Sequence, residues 1–350
     1  MSGSVAKQRV LFGAGLRKQL KDEVVNLGCS RALILSTPPQ SSSALDIAAE
    51  LNGLSAGVFS KAAMHTPVGV TEEAVQHALE VNADCVVAVG GGSTTGLGKA
   101  IALRTDLPQI VIPTTYAGSE ATPILGQTED GLKTTLTDPK VLPEVILCDP
   151  ELVATLPVGM TVTSALNAMA HAVEALYARD RNEESTKLAV DGLTSFAAAL
   201  PEVLEQPGSI SAREETLRGA WACGAVLGRV GMALHHKLCH TLGGTFDLPH
   251  AETHAIVLPH AAHFNAQAVP ELLAPVSELL DDSAPGKALW KFAKDMGAPM
   301  ALKDLGVSES DLDRATEIAL SKPYWNPREI TADGIRTLLQ NAWAGAAPNQ

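Results

Sequence analysis

Short runs of Val, Ile, Leu and Ala punctuate the first 157 residues, each bounded by glycine, proline or polar turn residues. RALILS (31–36), DCVVAVG (84–90), QIVIPTT (109–115) and EVILCDP (144–150) predict strands by their length, β-branched content and flanks. Segments with helical periodicity lie between them, such as 71–81. That alternation predicts an α/β fold with a mostly parallel sheet covered by helices. After Leu156 and Pro157 the β-branched runs give way to Ala/Leu-rich stretches at 161–178, 185–200, 211–229, 249–264, 286–296 and 331–345. Two domains follow: an α/β domain over 1–157 and an all-helical domain over 158–350. A tight cleft between them is the expected place for ligands.

Composition narrows the class. The 350 residues carry 46% hydrophobic and only 19% charged side chains, which describes a folded enzyme-sized protein and excludes disorder or a coiled coil. With 26 basic against 39 acidic residues the net charge is −13 and no basic stripe is present, so neither nucleic acid nor an anionic membrane is an expected partner. An anionic substrate needs a local pocket of donors. The first fifteen residues lack the apolar segment of a secretory signal, and no later apolar run is long enough to span a bilayer, so a cytoplasmic location is expected. The five cysteines are odd in number and never paired as CxxC, which suits core packing rather than disulfides or a cysteine zinc site.

The first candidate chemistry is a glycine loop. Gly90, Gly91, Gly92 and Ser93 stand between a buried strand and a helix predicted to start near Thr94. Successive glycines let backbone amides approach a pyrophosphate, and the helix start adds partial positive charge. The pattern is neither GxGxxG, because Thr95 occupies the third glycine position, nor a Walker loop, because Ser93 replaces its leading glycine and Ala100 follows Lys99. A second loop after the next strand offers Thr114, Thr115 and Ser119 to phosphate or ribose oxygens. After the first clear strand come Ser36, Thr37 and two prolines instead of an acidic residue. No carboxylate there repels a 2′-phosphate, so both NADH and NADPH are expected to bind.

The second is a histidine cluster. Seven of the ten histidines fall between His235 and His263, with His171 on an earlier helix. The pairs Asn167/His171, His236/His240 and His250/His254 have i,i+4 spacing and share helix faces. Converging faces would form a metal site or a proton-transfer site.

These segments together resemble a known family. The stretches GGGSTTG (90–96), TTYAGSE (114–120), KTTLTDPKVLPEVILCDPEL (133–152), SALNAMAHAVEALY (164–177), the run from His235 to His260 and NPR (326–328) are similar, in the same order, to the iron-containing alcohol dehydrogenase family, and more closely to its maleylacetate reductase branch. The resemblance implies a dinucleotide-binding α/β domain, a helical domain and a homodimer. It places Lys133 near the cofactor ribose. In metal-using relatives an aspartate and three histidines hold the ion, and the matching positions here are Asn167, His171, His236 and His250. His240 matches a histidine assigned to proton relay. Because a neutral amide replaces the anionic ligand at Asn167, the expectation is that no metal is required.

The implied reaction is NAD(P)H-dependent reduction of the carbon–carbon double bond of maleylacetate, a dicarboxylate, to 3-oxoadipate during aromatic-compound degradation. A metal-dependent alcohol or lactaldehyde dehydrogenase of the same fold is the alternative. Hydride addition β to the ketone puts charge on the ketone oxygen, which donors must stabilise. His171, His236, His240 and His250 are the candidate acids and substrate contacts, with a bound dianion expected to favour their protonation from an ordinary pKa near ~6.5. His240 or His236 is the expected proton donor. Asn167, Lys237 and Arg328 complete the expected substrate contacts.

Overall fold

The structure, a computed structural model, describes residues 8–348, with the Lys133 side chain outside the described residues. The chain forms two compact units, one holding the residues to Leu156 together with Gly208–Leu217, the other Pro157–Pro207 and the residues from Arg218.

In the first unit β1 (Arg9–Phe12), α1 (Leu20–Asn26), β2 (Ala32–Leu35), α2 (Ser41–Glu50), β3 (Ser55–Phe59), α3 (Val68–Glu80), β4 (Cys85–Gly90), α4 (Gly92–Thr105) and β5 (Gln109–Pro113) come first. They are followed by β6 (Ile124–Glu129), β7 (Leu132–Thr137), β8 (Val145–Cys148) and the short α5 (Pro150–Val153). Six strands make one sheet in the order β1-β8-β5-β4-β2-β3, with every pairing parallel. β2, β4, β5 and β8 are buried along their whole length, which is why each reads as a continuous apolar run. Ile34, Val87, Ile110 and Leu147 enter one core, while Leu33, Leu35 and Val86 pack on Ala74, Ala78, Leu97 and Ile101 of α3 and α4 in the other. Full burial of each such side chain stabilises by about 1.5–3 kcal/mol. β6 and β7 form a separate antiparallel hairpin, turned by Asp130 (φ 48°) and Gly131 (φ 76°). An Asp-Gly pair is suited to left-handed backbone at both turn positions.

Chain order reverses between β2 and β4. β2 is followed by β3 at the sheet edge, and β4 returns to β2's other side. The carboxyl ends of β2, β4 and β5 therefore surround a topological switch point, where open α/β sheets bind ligands.

The second unit contains α6 (Val158–Leu176), α7 (Glu183–Glu205), most of α8 (Ile210–Leu227), α9 (Leu234–Phe246), α10 (His250–Ala266), α11 (Pro270–Leu279), α12 (Pro285–Asp295), α13 (Asp311–Leu320) and α14 (Ala332–Ala344). α10 packs against α6, α9, α12 and α14, and nearly all of its residues from Thr253 to Asn265 are buried. α9, α10, α13 and α14 share a core that includes Leu238, Leu242, Val257, Leu312 and Leu339. No helix among the described residues is long and apolar enough to cross a membrane.

Candidate active site

At the switch point, α4 starts at Gly92 directly after β4, with Gly91 as its N-cap and no side-chain cap. The first N–H groups of the helix therefore have no side-chain cap and could meet an anion. Two glycines are required by packing. A Cβ on Gly90 (φ 154°) would lie 2.4 Å from Thr94 Oγ1, and one on Gly91 would lie 2.7 Å from Thr115 Oγ1. Gly92 is exposed, Ser93 half-buried, and Thr114 and Thr115 half-buried on the neighbouring loop. Thr37 Oγ1 donates to Gln40 Oε1 at 3.1 Å, and Gln40 Nε2 donates to Thr114 Oγ1 at 3.0 Å. Gln40 thus ties the β2 and β5 loops into one rim. The hydroxyls of Ser36, Thr94 and Ser119 are buried without a hydrogen-bond partner, so this rim holds unspent polar capacity.

Lys99 fixes the second loop. Its Nζ, on a side chain 1% exposed, donates to the carbonyls of Ser119 (2.5 Å), Thr122 (2.7 Å) and Ile124 (2.8 Å) and to Thr122 Oγ1 (3.0 Å). Burial pulls its pKa down, and the nearby buried Glu120 pulls it back up. Lys133 lies on β7, and its side chain lies outside the described residues.

In the second unit α6 carries Asn167 and His171, α9 carries His236 and His240, and α10 starts at His250. The rings form a continuous array around His236. Centroid distances from it are 5.1 Å to His171, 5.1 Å to His235, 5.1 Å to His254 and 6.1 Å to His240, and His250 lies 4.2 Å from His254. The four predicted histidines and Asn167 therefore share one neighbourhood. Asn167, His171 and His236 are buried, whereas His240 and His250 are exposed. Asn167 Oδ1, His171 Nδ1 and His236 Nε2 are buried without partners.

Burial opposes the expected protonation. His171, His236 and His254 have pKa values well below the ordinary histidine value, first because burial penalises the cation and then because neighbouring imidazoles repel it. His235 is pushed down to about 3 by the same desolvation. Burial thus holds the interior rings toward the neutral form, against the protonation expected with a bound dianion.

Two expected contacts stand elsewhere. Arg328 Nη1 donates to the Phe264 carbonyl at 3.1 Å, and its guanidinium stacks 4.0 Å from the Phe264 ring, beside a cavity of about 340 Å³. Phe264 is ten residues along α10 from His254, roughly 15 Å of helix, so Arg328 serves a different part of the unit. Lys237 Nζ lies 5.7 Å from the Tyr324 ring centroid, where the ring face attracts the cation.

Glu174 escaped the sequence reading. It is 0% exposed on α6, and its carboxylate contacts His236 Nδ1 at 2.7 Å while accepting from the Ala233 and His235 N–H groups at 2.9 and 2.8 Å. The signal was a lone carboxylate in ALNAMAHAVEALY, three residues after His171 and seven after Asn167, on one helix face. Two sets of ligand-type atoms in this unit lie within 4.8 Å of one another: Glu174 with His235 and His236, and His235 with Cys239 and His254.

Known proteins sharpen the picture. Residues 7–150 match the family model described as iron-containing alcohol dehydrogenase, and residues 161–343 match that of the Fe-containing alcohol dehydrogenase family, C-terminal. The chain is 58% identical over 345 residues to a maleylacetate reductase of a Rhizobium species, covering 99% of this chain and 98% of that one. A crystal structure of maleylacetate reductase from Agrobacterium tumefaciens superposes with a TM-score of 0.96 at 58% identity, covering 98% of each chain. An iron-containing alcohol dehydrogenase from Corynebacterium glutamicum superposes at 0.94 with 39% identity, covering 99% of this chain and 97% of that one. These matches overturn the expectation that no metal is required, because the family implies iron beside the nicotinamide cofactor. The residues present fit such an ion: the partnerless oxygen of Asn167 and ring nitrogens of His171 and His236 are buried donors that otherwise go unsatisfied. With both models matched and identity this high over nearly its whole length, the chain belongs to the iron-containing alcohol dehydrogenase family.

Proposed function

We propose that this chain is an NAD(P)H-dependent oxidoreductase that reduces the carbon–carbon double bond of maleylacetate to 3-oxoadipate, acting as a cytoplasmic homodimer in the breakdown of aromatic compounds. The observation that carries this reading is a buried amide, Asn167, beside the partnerless ring nitrogens of His171 and His236. Asn167, His171 and His236 are buried, and the one buried carboxylate among them, Glu174, is enclosed by N–H groups and a ring nitrogen. A doubly negative substrate meets no repelling carboxylate at position 167. Full-length identity to proteins described as maleylacetate reductases supports the same reading.

The glycine loop with Ser93, Thr114, Thr115 and Ser119 binds the nucleotide, Ser36 and Thr37 border the adenosine ribose, and Lys133 reaches the cofactor ribose. When bound, the nicotinamide supplies hydride and iron supplies a Lewis acid at the ketone oxygen. Asn167, His171, His236 and His250 would hold that ion. His240, exposed and edge-on to His236, delivers the proton that completes the reduction, because its place at the rim lets it exchange with water.

The test follows nicotinamide absorbance after maleylacetate is added to enzyme and NADH, with metal content measured on the same sample. Rapid oxidation that falls on chelation and returns with ferrous ion is expected. Iron-dependent oxidation of short alcohols with no turnover of maleylacetate would overturn the proposal in favour of an alcohol dehydrogenase.

A further inference from the structure

The first turn of α9 lacks local help. Its N-cap is Ala233, which has no side chain able to cap, and no acidic residue occupies the first turn. Helix starts leave N–H groups unsatisfied, and burying them without partners costs roughly 1–3 kcal/mol each. Here the partner comes from α6. Glu174 Oε2 accepts from Ala233 N–H and Oε1 from His235 N–H, while Tyr177 Oη donates to Oε1 at 3.3 Å. The same Oε2 lies 2.7 Å from His236 Nδ1, closer than the 3.4 Å between the Nδ1 atoms of His235 and His236.

A carboxylate already accepting three hydrogen bonds requires a donor from the ring. The proton of neutral His236 therefore sits on Nδ1, and Nε2, buried and without a partner, keeps its lone pair. We infer that Glu174 is a positioning residue: by capping α9 and bonding Nδ1, it fixes the frame and the tautomer in which His236 offers an unprotonated Nε2 to whatever binds beside Asn167 and His171. A serine or aspartate at position 233 would cap the helix with less desolvation. Placing the cap on α6 instead joins His236 to the helix face that carries Asn167 and His171, so the three groups keep one geometry. The inference rests on His236 belonging to the reductase site.

The test is Glu174→Gln. Its amide offers one acceptor oxygen but presents an N–H₂ where Nδ1–H must be accepted, so the ring is driven to the Nε2–H form. In ¹⁵N-histidine-labelled protein, His236, assigned by its loss in His236→Ala, should show protonated Nδ1 and unprotonated Nε2 in the wild type, with the pattern reversed in the variant. Turnover should fall roughly 10- to 100-fold, with the KM for NADH unchanged. In a His236→Ala background, Glu174→Gln should cost less than about twofold, because its target is gone. An equal loss in both backgrounds would make Glu174 merely structural. An Nε2–H tautomer in the wild type would also overturn the inference, and that measurement needs no turnover of maleylacetate. Absence of turnover in the wild type with the expected tautomer would sink the proposed reaction and leave the positioning role standing.

Discussion

Replacing Gly91 with alanine probes the cradle most directly. The added Cβ would sit 2.7 Å from Thr115 Oγ1, 3.0 Å from its Cγ2 and 3.4 Å from its Cβ; the first is too close to persist and the second is tight. Thr115 is half-buried on a loop, so it can rotate away, and the fold should lose little. The rotated hydroxyl and the new methyl group then occupy space meant for phosphate oxygens. Overpacking of this kind costs about 1–3 kcal/mol, equivalent to a roughly 5- to 150-fold rise in the NADH dissociation constant, read by quenching of protein fluorescence. Thr115→Ala removes Oγ1 and Cγ2 and leaves only the ordinary 3.4 Å contact. In that background Gly91→Ala should change the constant by less than about twofold. An equal penalty in both backgrounds would refute the steric reasoning, and unchanged affinity in the single variant would remove the nucleotide from this loop.

Asn167→Asp adds a negative charge to the site, so ferrous affinity by titration calorimetry should rise and the KM for maleylacetate should increase about tenfold, or roughly 1.4 kcal/mol; an unchanged KM would place the substrate elsewhere. His260 is 3% exposed, and burial, then His263, pushes its pKa to about 4. The unfolded chain takes up this proton from about pH 6.5 downward while the native state does not until about pH 4, so stability is lost on acidification across that window, by about 3 kcal/mol. His260→Gln should make the fall of the urea midpoint between those pH values less steep, the other buried histidines still contributing, and an unaltered acid limb would contradict the assignment. Arg328→Ala should lower stability by about 1–2 kcal/mol through loss of the Phe264 contacts without changing the KM for maleylacetate; a tenfold rise in KM would return Arg328 to the site.

Legibility in the sequence followed burial symmetry. β2, β4, β5 and β8 are covered on both faces and stand out as apolar runs, whereas the edge strands RVLF (β1) and SAGVF (β3) are half-exposed and pass for loop. The β6–β7 hairpin, rich in threonine, carries no core signal beyond its Asp-Gly turn. The i,i+4 spacing paired Asn167 with His171, His236 with His240 and His250 with His254, because a helix converts spacing into a shared face; that the three faces meet depends on how α6, α9 and α10 pack. It did not give their protonation, which depends on how deeply α6 and α10 enclose the rings. The contact of Arg328 with Phe264 was not legible, because the two are 64 residues apart in sequence. Gln40 and Glu174 act across loops and helices, and only the latter left a local trace, as a charge isolated among apolar neighbours.

The enclosure of Lys99 bears on the thermodynamics of nucleotide capture. An ammonium held by three carbonyls and a hydroxyl keeps the 119–124 segment in one conformation before any ligand arrives. The ordering of that segment is then complete at folding, so calorimetry of nucleotide association should register little loss of chain entropy there.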